Sequence, residues 1–127
     1  MGYSDVIREV VSSPAGSRDL DVKIAKLLGW RRAERKVLDP AAGKEVVETL
    51  WLRPSSNEPG KVPVYTGNLQ AAFELAEAVS PHHTGGCAWE EGAASASLGG
   101  QSKTVQAATP ALALSAAALL EKVRLNR

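Results

Sequence analysis

Cysteine occurs once in this chain, as Cys87, so no intramolecular disulfide can staple it and a reducing compartment suits it. Histidine occurs only at His82 and His83, too few to build a metal centre from imidazoles. No apolar run approaches the roughly 20 residues that cross a bilayer, so no membrane association is expected. Asp5, Arg8 and Glu9 interrupt the opening segment, which therefore does not resemble a secretion signal. The expected location is the cytoplasm of a bacterial cell.

An excess of either charge is also missing. Fifteen Lys and Arg meet fourteen Asp and Glu, for a formal net charge of +1. That balance excludes a polyanion-binding surface spread over the whole molecule, and it excludes acidic mimicry of nucleic acid. Locally the balance breaks down. Between Val62 and Ser102 there is no Lys or Arg, while Glu74, Glu77, Glu90 and Glu91 lie there; Arg31, Arg32, Arg35 and Lys36 crowd into one short stretch.

What is present is ordinary for a globular protein: 127 residues, 44% hydrophobic and 23% charged. Residues 1–127 fit a single domain, with 1–16 as an N-terminal helix that can attach loosely. Val6, Ile7, Val10 and Val11 predict a helix over Tyr3 to Ser12, broken by Ser13, Pro14 and Gly16. Ser17 is placed to cap a second helix with Leu20, Ile24, Leu27 and Leu28 on one stripe, ended by Gly29, and Trp30 is expected to fold back onto that stripe. Residues 32–38 and 45–52 read as a hairpin about the turn at Asp39 to Gly43. Val46, Leu50 and Leu52 fall on one face of the second strand and Val47, Thr49 and Trp51 on the other, which predicts a sheet covered on both sides.

Residues 53–60 read as a proline-bounded loop. A third helix is expected after Thr66 or Asn68, burying Leu69, Ala72, Phe73, Ala76 and Val79 and closed by Pro81. Residues 80–86 then form a loop. Cys87 to Glu91 and Ala94 to Leu98 make a second hairpin about Gly92, and 99–107 read as loop. Thr109 and Pro110 open the last helix as cap and first-turn proline, with Leu112, Ala116, Leu119, Leu120 and Val123 buried. The order is α-α-β-β-α-β-β-α. It predicts an α+β fold, a three-layer α/β/α-type sandwich around a mainly antiparallel sheet of about four strands.

Three stretches carry a family resemblance: Leu20 to Trp30, Val62 to Thr66 with Asn68 to Ala72, and Ala108 to Leu119. Together, over about a third of the chain and in order, they resemble the phage ABA-sandwich domain family of small phage and prophage proteins. The segment 80–107 departs from that family's tighter strand region. The resemblance implies a helix–sheet–helix fold, a phage or prophage origin and a place in the bacterial host cell. It implies no catalytic residue.

Gly99 to Thr104 superficially resembles a phosphate loop, but Ser102 and Ser97 stand where that loop needs glycine. A flexible connector is the plainer reading. His82, His83 and Cys87 fall short of a zinc site, and Cys87 as a nucleophile would need a histidine and an orienting group beside it. Glu90 and Glu91 face opposite sides of a strand and cannot act as a couple. Neither a cofactor nor a metal is expected, and no catalytic set emerges.

The remaining candidates are binding residues: Trp30, Arg31, Arg32, Arg35, Trp51, Tyr65 and Trp89. Strand alternation puts Arg31 and Arg35 on one face and Arg32 and Lys36 on the other. Edge-strand charges that discourage sheet-to-sheet pairing explain such a cluster structurally, and the aromatics suit either a core or a partner surface. The leading expectation is a non-enzymatic phage accessory protein that binds a host or phage protein. The alternative is a binder that sequesters a small nucleotide signal, and the third reading is nucleic-acid contact through Arg31 to Lys36, which the near-neutral charge disfavours. Oligomeric state is not legible.

Overall fold

The computed structural model describes residues 2–80, 84–99 and 104–126. Pro81, His82, His83 and residues 100–103 of the glycine-rich segment lie outside them. Among the described residues there are four helices and six strands, the strands forming two antiparallel three-stranded sheets. The fold is α+β. The chain divides into two compact units, Met1–Ile24 with Pro63–Arg127, and Ala25–Val62.

In the first unit, helix α1 (Tyr3–Ser12) buries Val6 and Val10, one turn apart. At its C-terminal end the hydroxyls of Ser12 and Ser13 donate to the carbonyls of Arg8 and Glu9 at 2.8 and 2.7 Å, satisfying groups the helix leaves open. Helix α2 (Arg18–Leu27) starts as expected, with the Leu20 N–H donating to Ser17 Oγ at 3.2 Å. Buried Asp21 then ties this start to the chain beyond Pro63. Its Oδ1 accepts from the backbone N–H and the hydroxyl of Thr66 at 2.8 and 2.6 Å, and Arg18 pairs with Oδ2 at 2.9 Å. Gly16 makes this knot possible, since a Cβ there would stand 2.1 Å from the Thr66 carbonyl oxygen.

Helix α3 (Leu69–Val79) is capped by Asn68, whose Oδ1 accepts from the Ala71 N–H at 3.0 Å; Thr66 serves the Asp21 knot instead. Its buried face is Ala72, Leu75 and Ala76. Leu69 and Phe73, expected inside, are exposed, so the true stripe is rotated toward Leu75.

Strands β4 (Gly85–Glu90) and β5 (Ala93–Leu98) turn about Gly92, at φ +76°. A short strand, β6 (Val105–Ala107), lies in the segment expected to be loop and completes this sheet, whose strands run in the order β4-β5-β6. Ala94, Ala96, Leu98 and Ala107 are buried on one face, while Ala88, Glu90 and Gln106 on the other are exposed. Helix α4 (Pro110–Leu125) opens at Thr109, which accepts from the Leu112 N–H at 3.2 Å. It packs against this sheet and against both α1 and α3. Every residue from Ala111 to Leu119 is buried, so α4 is wrapped on all sides and not along one stripe. Leu112 and Leu119, wholly enclosed, each contribute about 1.5–3 kcal/mol. Leu120, expected inside, is exposed.

The second unit begins with the end of α2. Gly29, at φ +101°, closes the helix in a Schellman arrangement: the Trp30 N–H donates to the Ala25 carbonyl at 3.0 Å and the Gly29 N–H to that of Lys26 at 3.2 Å. Strands β1 (Arg31–Asp39) and β2 (Lys44–Leu52) follow as a long hairpin, one residue wider at most ends than the periodicity predicts. A two-residue strand, β3 (Pro59–Gly60), pairs with Trp51 and Leu52 at the base. It falls inside the segment expected to be loop. Among the described residues the strands thus number six in two sheets where about four in one sheet were expected, and the predicted cover on both faces of β2 holds only near its end, where Leu50, Trp51 and Leu52 are half-buried, while Val46 and Val47 are exposed. No helix among the described residues is long and apolar enough to cross a membrane.

Candidate functional site

The β1–β2 hairpin holds four of the seven candidate residues. Its turn is set by Asp39, whose Oδ1 accepts from the Ala41 N–H at 3.0 Å, and by Gly43 at φ +63°, whose N–H donates to the Asp39 carbonyl at 2.8 Å. This pins the register, with Arg31 opposite Leu52, Arg32 opposite Trp51, Arg35 opposite Glu48 and Lys36 opposite Val47. Directly opposed residues share a face. One face therefore carries Arg32, Lys36 and Leu38 with Val47 and Trp51; the other carries Arg31, Arg35 and Val37 with Val46, Glu48 and Leu52. The four cations split between the faces as alternation requires.

Beyond Trp51 the hairpin has only two strands, and its side chains meet solvent on both faces. Leu38 is 68% exposed and Val47 60%. Arg35 Nε lies 2.9 Å from Glu48 Oε2, an exposed ion pair worth about 0–1 kcal/mol. Glu34 and Glu45 sit among the remaining cations on the Arg32 face. The surface is thus a mixture of aliphatic groups and interleaved charge, not a continuous basic track.

The aromatic candidates are distributed differently. Trp30 is buried, and the Arg53 guanidinium lies 5.8 Å from its ring centroid. Gly60 leaves room for Arg53, since a Cβ there would come within 2.7 Å of Arg53 Nε. Neither Arg53 nor Gly60 stood out in the sequence; the only signal was their place at the two ends of one proline-bounded loop. Trp51 is half-buried. Tyr65, in the first unit, is a core residue whose carbonyl accepts from buried Ser115 Oγ at 2.8 Å. Trp89, at the end of β4, is 67% exposed and lines a cavity of about 320 Å³ with Ala88, Glu90, Ser95 and Gln106.

Burial pushes the Cys87 thiol above its ordinary pKa, the reverse of what an activated nucleophile needs, and its Sγ stands 3.9 Å from the Pro110 carbonyl oxygen. Among the described residues no group of three or more His, Cys, Asp and Glu is gathered closely enough to hold a metal ion. No family model matches the chain, and no curated protein or solved structure matches it.

Proposed function

We propose that this chain is a non-catalytic binding protein whose β1–β2 hairpin docks a protein partner, in the manner of a phage or prophage accessory protein acting on a host or phage protein. One observation carries the reading. A two-stranded ribbon is marginal in water by itself, yet this one places Leu38, Val46 and Val47 in solvent on both faces. A partner with an apolar patch bordered by carboxylates would cover the aliphatic groups and meet Arg31, Arg32, Lys36 and Lys44. Glu34, Glu45 and the Arg35–Glu48 pair weaken the case for a polyanion in that role. A nucleotide signal finds weaker support again, because Trp30 is already buried beneath Arg53.

The test places a photo-crosslinking amino acid at position 47 and, as a control, at exposed position 19. In bacterial cells the first gives a discrete protein adduct, which Leu38→Lys abolishes without altering the circular dichroism spectrum. The reading is lost if position 47 yields no more protein adduct than position 19. It is also lost if the purified chain is held on DNA or RNA at low salt through Arg32 and Lys36, or if a nucleotide raises its melting midpoint in a concentration-dependent way.

A further inference from the structure

Away from the hairpin, a cavity of about 300 Å³ lies between α3 and β4. Phe73, Ala76, Glu77 and Ser80 line it from the helix, and Gly85 to Cys87 from the strand, over a floor that includes Leu98 and Leu114. Ser80 is the unexpected member. It is 2% exposed, and its hydroxyl has no hydrogen-bond partner among the described residues. Buried polar groups are nearly always paired, because leaving one unpaired is unfavourable. A hydroxyl without a partner among the described residues, on the wall of an apolar cavity, is placed to bond a group that enters it.

The strand wall is open too. β4 pairs with β5 on one side only and has no strand on the other among the described residues. The Gly99 N–H donates to the Thr84 carbonyl at 2.8 Å, which makes that opposed pair a hydrogen-bonded one. By antiparallel alternation, the N–H and C=O groups of Gly85, Cys87 and Trp89 then point away from β5, toward the free edge. Gly86 adds no side chain to cover that edge, although a Cβ there would meet nothing within 4 Å. Phe73, which lines the cavity from the helix, is 48% exposed and leaves a large apolar surface beside it. Charge settles which occupant fits. α3, β4 and β5 contain no Lys or Arg, while Glu74 and Glu77 on the helix, Glu90 at the end of β4 and Glu91 just after it are exposed.

We infer that the α3–β4 groove binds an extended segment of a partner protein, one that adds as a strand to the free edge of β4. It sets an aliphatic side chain over Leu98 and Leu114 within reach of Ser80, and it carries Lys or Arg to either side. Main-chain bonds to the edge supply affinity and the cavity supplies specificity. The inference stands apart from the hairpin, so either can fail alone.

Cys87 lines the cavity and reports on it. The experiment measures alkylation of Cys87 with blocked hexapeptides of alternating leucine and lysine at concentrations up to about 1 mM. The leucine–lysine peptide slows alkylation and shifts the amide resonances of Gly85 and Cys87. Its leucine–glutamate counterpart is roughly fivefold weaker, and Glu77→Lys reverses that preference. Val47→Lys, in the hairpin, changes neither result. Protection by N-acetyl-leucinamide as good as by the peptide would replace strand addition with a small-molecule site. Protection that grows with protein concentration alone would mean a second copy of the chain occupies the groove. Either result, or no protection by the lysine peptide, overturns the proposal.

Discussion

Two buried serines in the same unit should respond in opposite directions to the same substitution. Ser115 Oγ donates to the Tyr65 carbonyl at 2.8 Å, whereas Ser80 Oγ has no partner among the described residues. Truncating Ser115 to alanine removes a made hydrogen bond, a loss of about 1 kcal/mol, offset by a few tenths from the better helix propensity of alanine. Truncating Ser80 removes an unpaired hydroxyl from an apolar wall. Its backbone N–H still closes α3 onto the Ala76 carbonyl at 2.9 Å, so the helix end survives. Ser80→Ala should therefore stabilise the free protein by about 0.5–1.5 kcal/mol, set by the desolvation of a hydroxyl left without a bond. The two variants should differ by roughly 1–2 kcal/mol, or about 3–8 °C in midpoint for a chain of this length. Urea titration followed by circular dichroism reads both in one transition, and the slopes must match wild type for the comparison to hold. Ser80→Ala should also weaken the leucine–lysine peptide, trading binding for stability. A Ser80→Ala protein less stable than wild type would mean that the hydroxyl is satisfied, and the groove argument would lose its polar anchor.

Other perturbations separate the remaining claims. Asp21→Ala leaves the buried Thr66 N–H without its acceptor and removes the charged partner of the Thr66 hydroxyl and of Arg18, and should cost about 1.5–3 kcal/mol. Asp19→Ala, on the exposed side of the same turn, should stay within about 0.5 kcal/mol in the same urea assay. Burial raises the Cys87 pKa, so the unfolded thiol ionises first as pH rises. Stability from this group is complete below the ordinary thiol pKa and declines as pH climbs through the raised folded value. Melting midpoints from pH 7 to 10 should fall less steeply for Cys87→Ala than for wild type, and equal slopes would show that the thiol does not matter.

Local chemistry was legible in the sequence wherever one residue decides the outcome. Ser17, Thr109 with Pro110, and Gly29 mark helix ends through backbone geometry that few residues satisfy, and the structure uses each of them so. The β1–β2 hairpin was readable because a turn and two alternating runs lie next to each other. Features that depend on distant neighbours were hidden. Leu69 and Phe73 match a helical stripe as well as Leu75 does, and only contact with α4 selects the latter. The last strand of the second sheet, Val105–Ala107, is too short to show a period. Arg53 over Trp30 and the unpaired Ser80 hydroxyl leave no local pattern at all, so the groove beside β4 could not be anticipated, while the Arg31–Lys36 cluster was visible from composition alone.

The enclosure of helix α4 restricts how this protein can evolve. Alanine or serine fills six of the nine positions from Ala111 to Leu119, and neighbours press on every side of the rod. Larger replacements have nowhere to expand, and glycine would loosen the helix, so drift there is confined to exchanges among very small side chains. Homologues should preserve a bland, alanine-rich tract in the place where most proteins of this size keep leucine and isoleucine, a stretch easily mistaken for a tether.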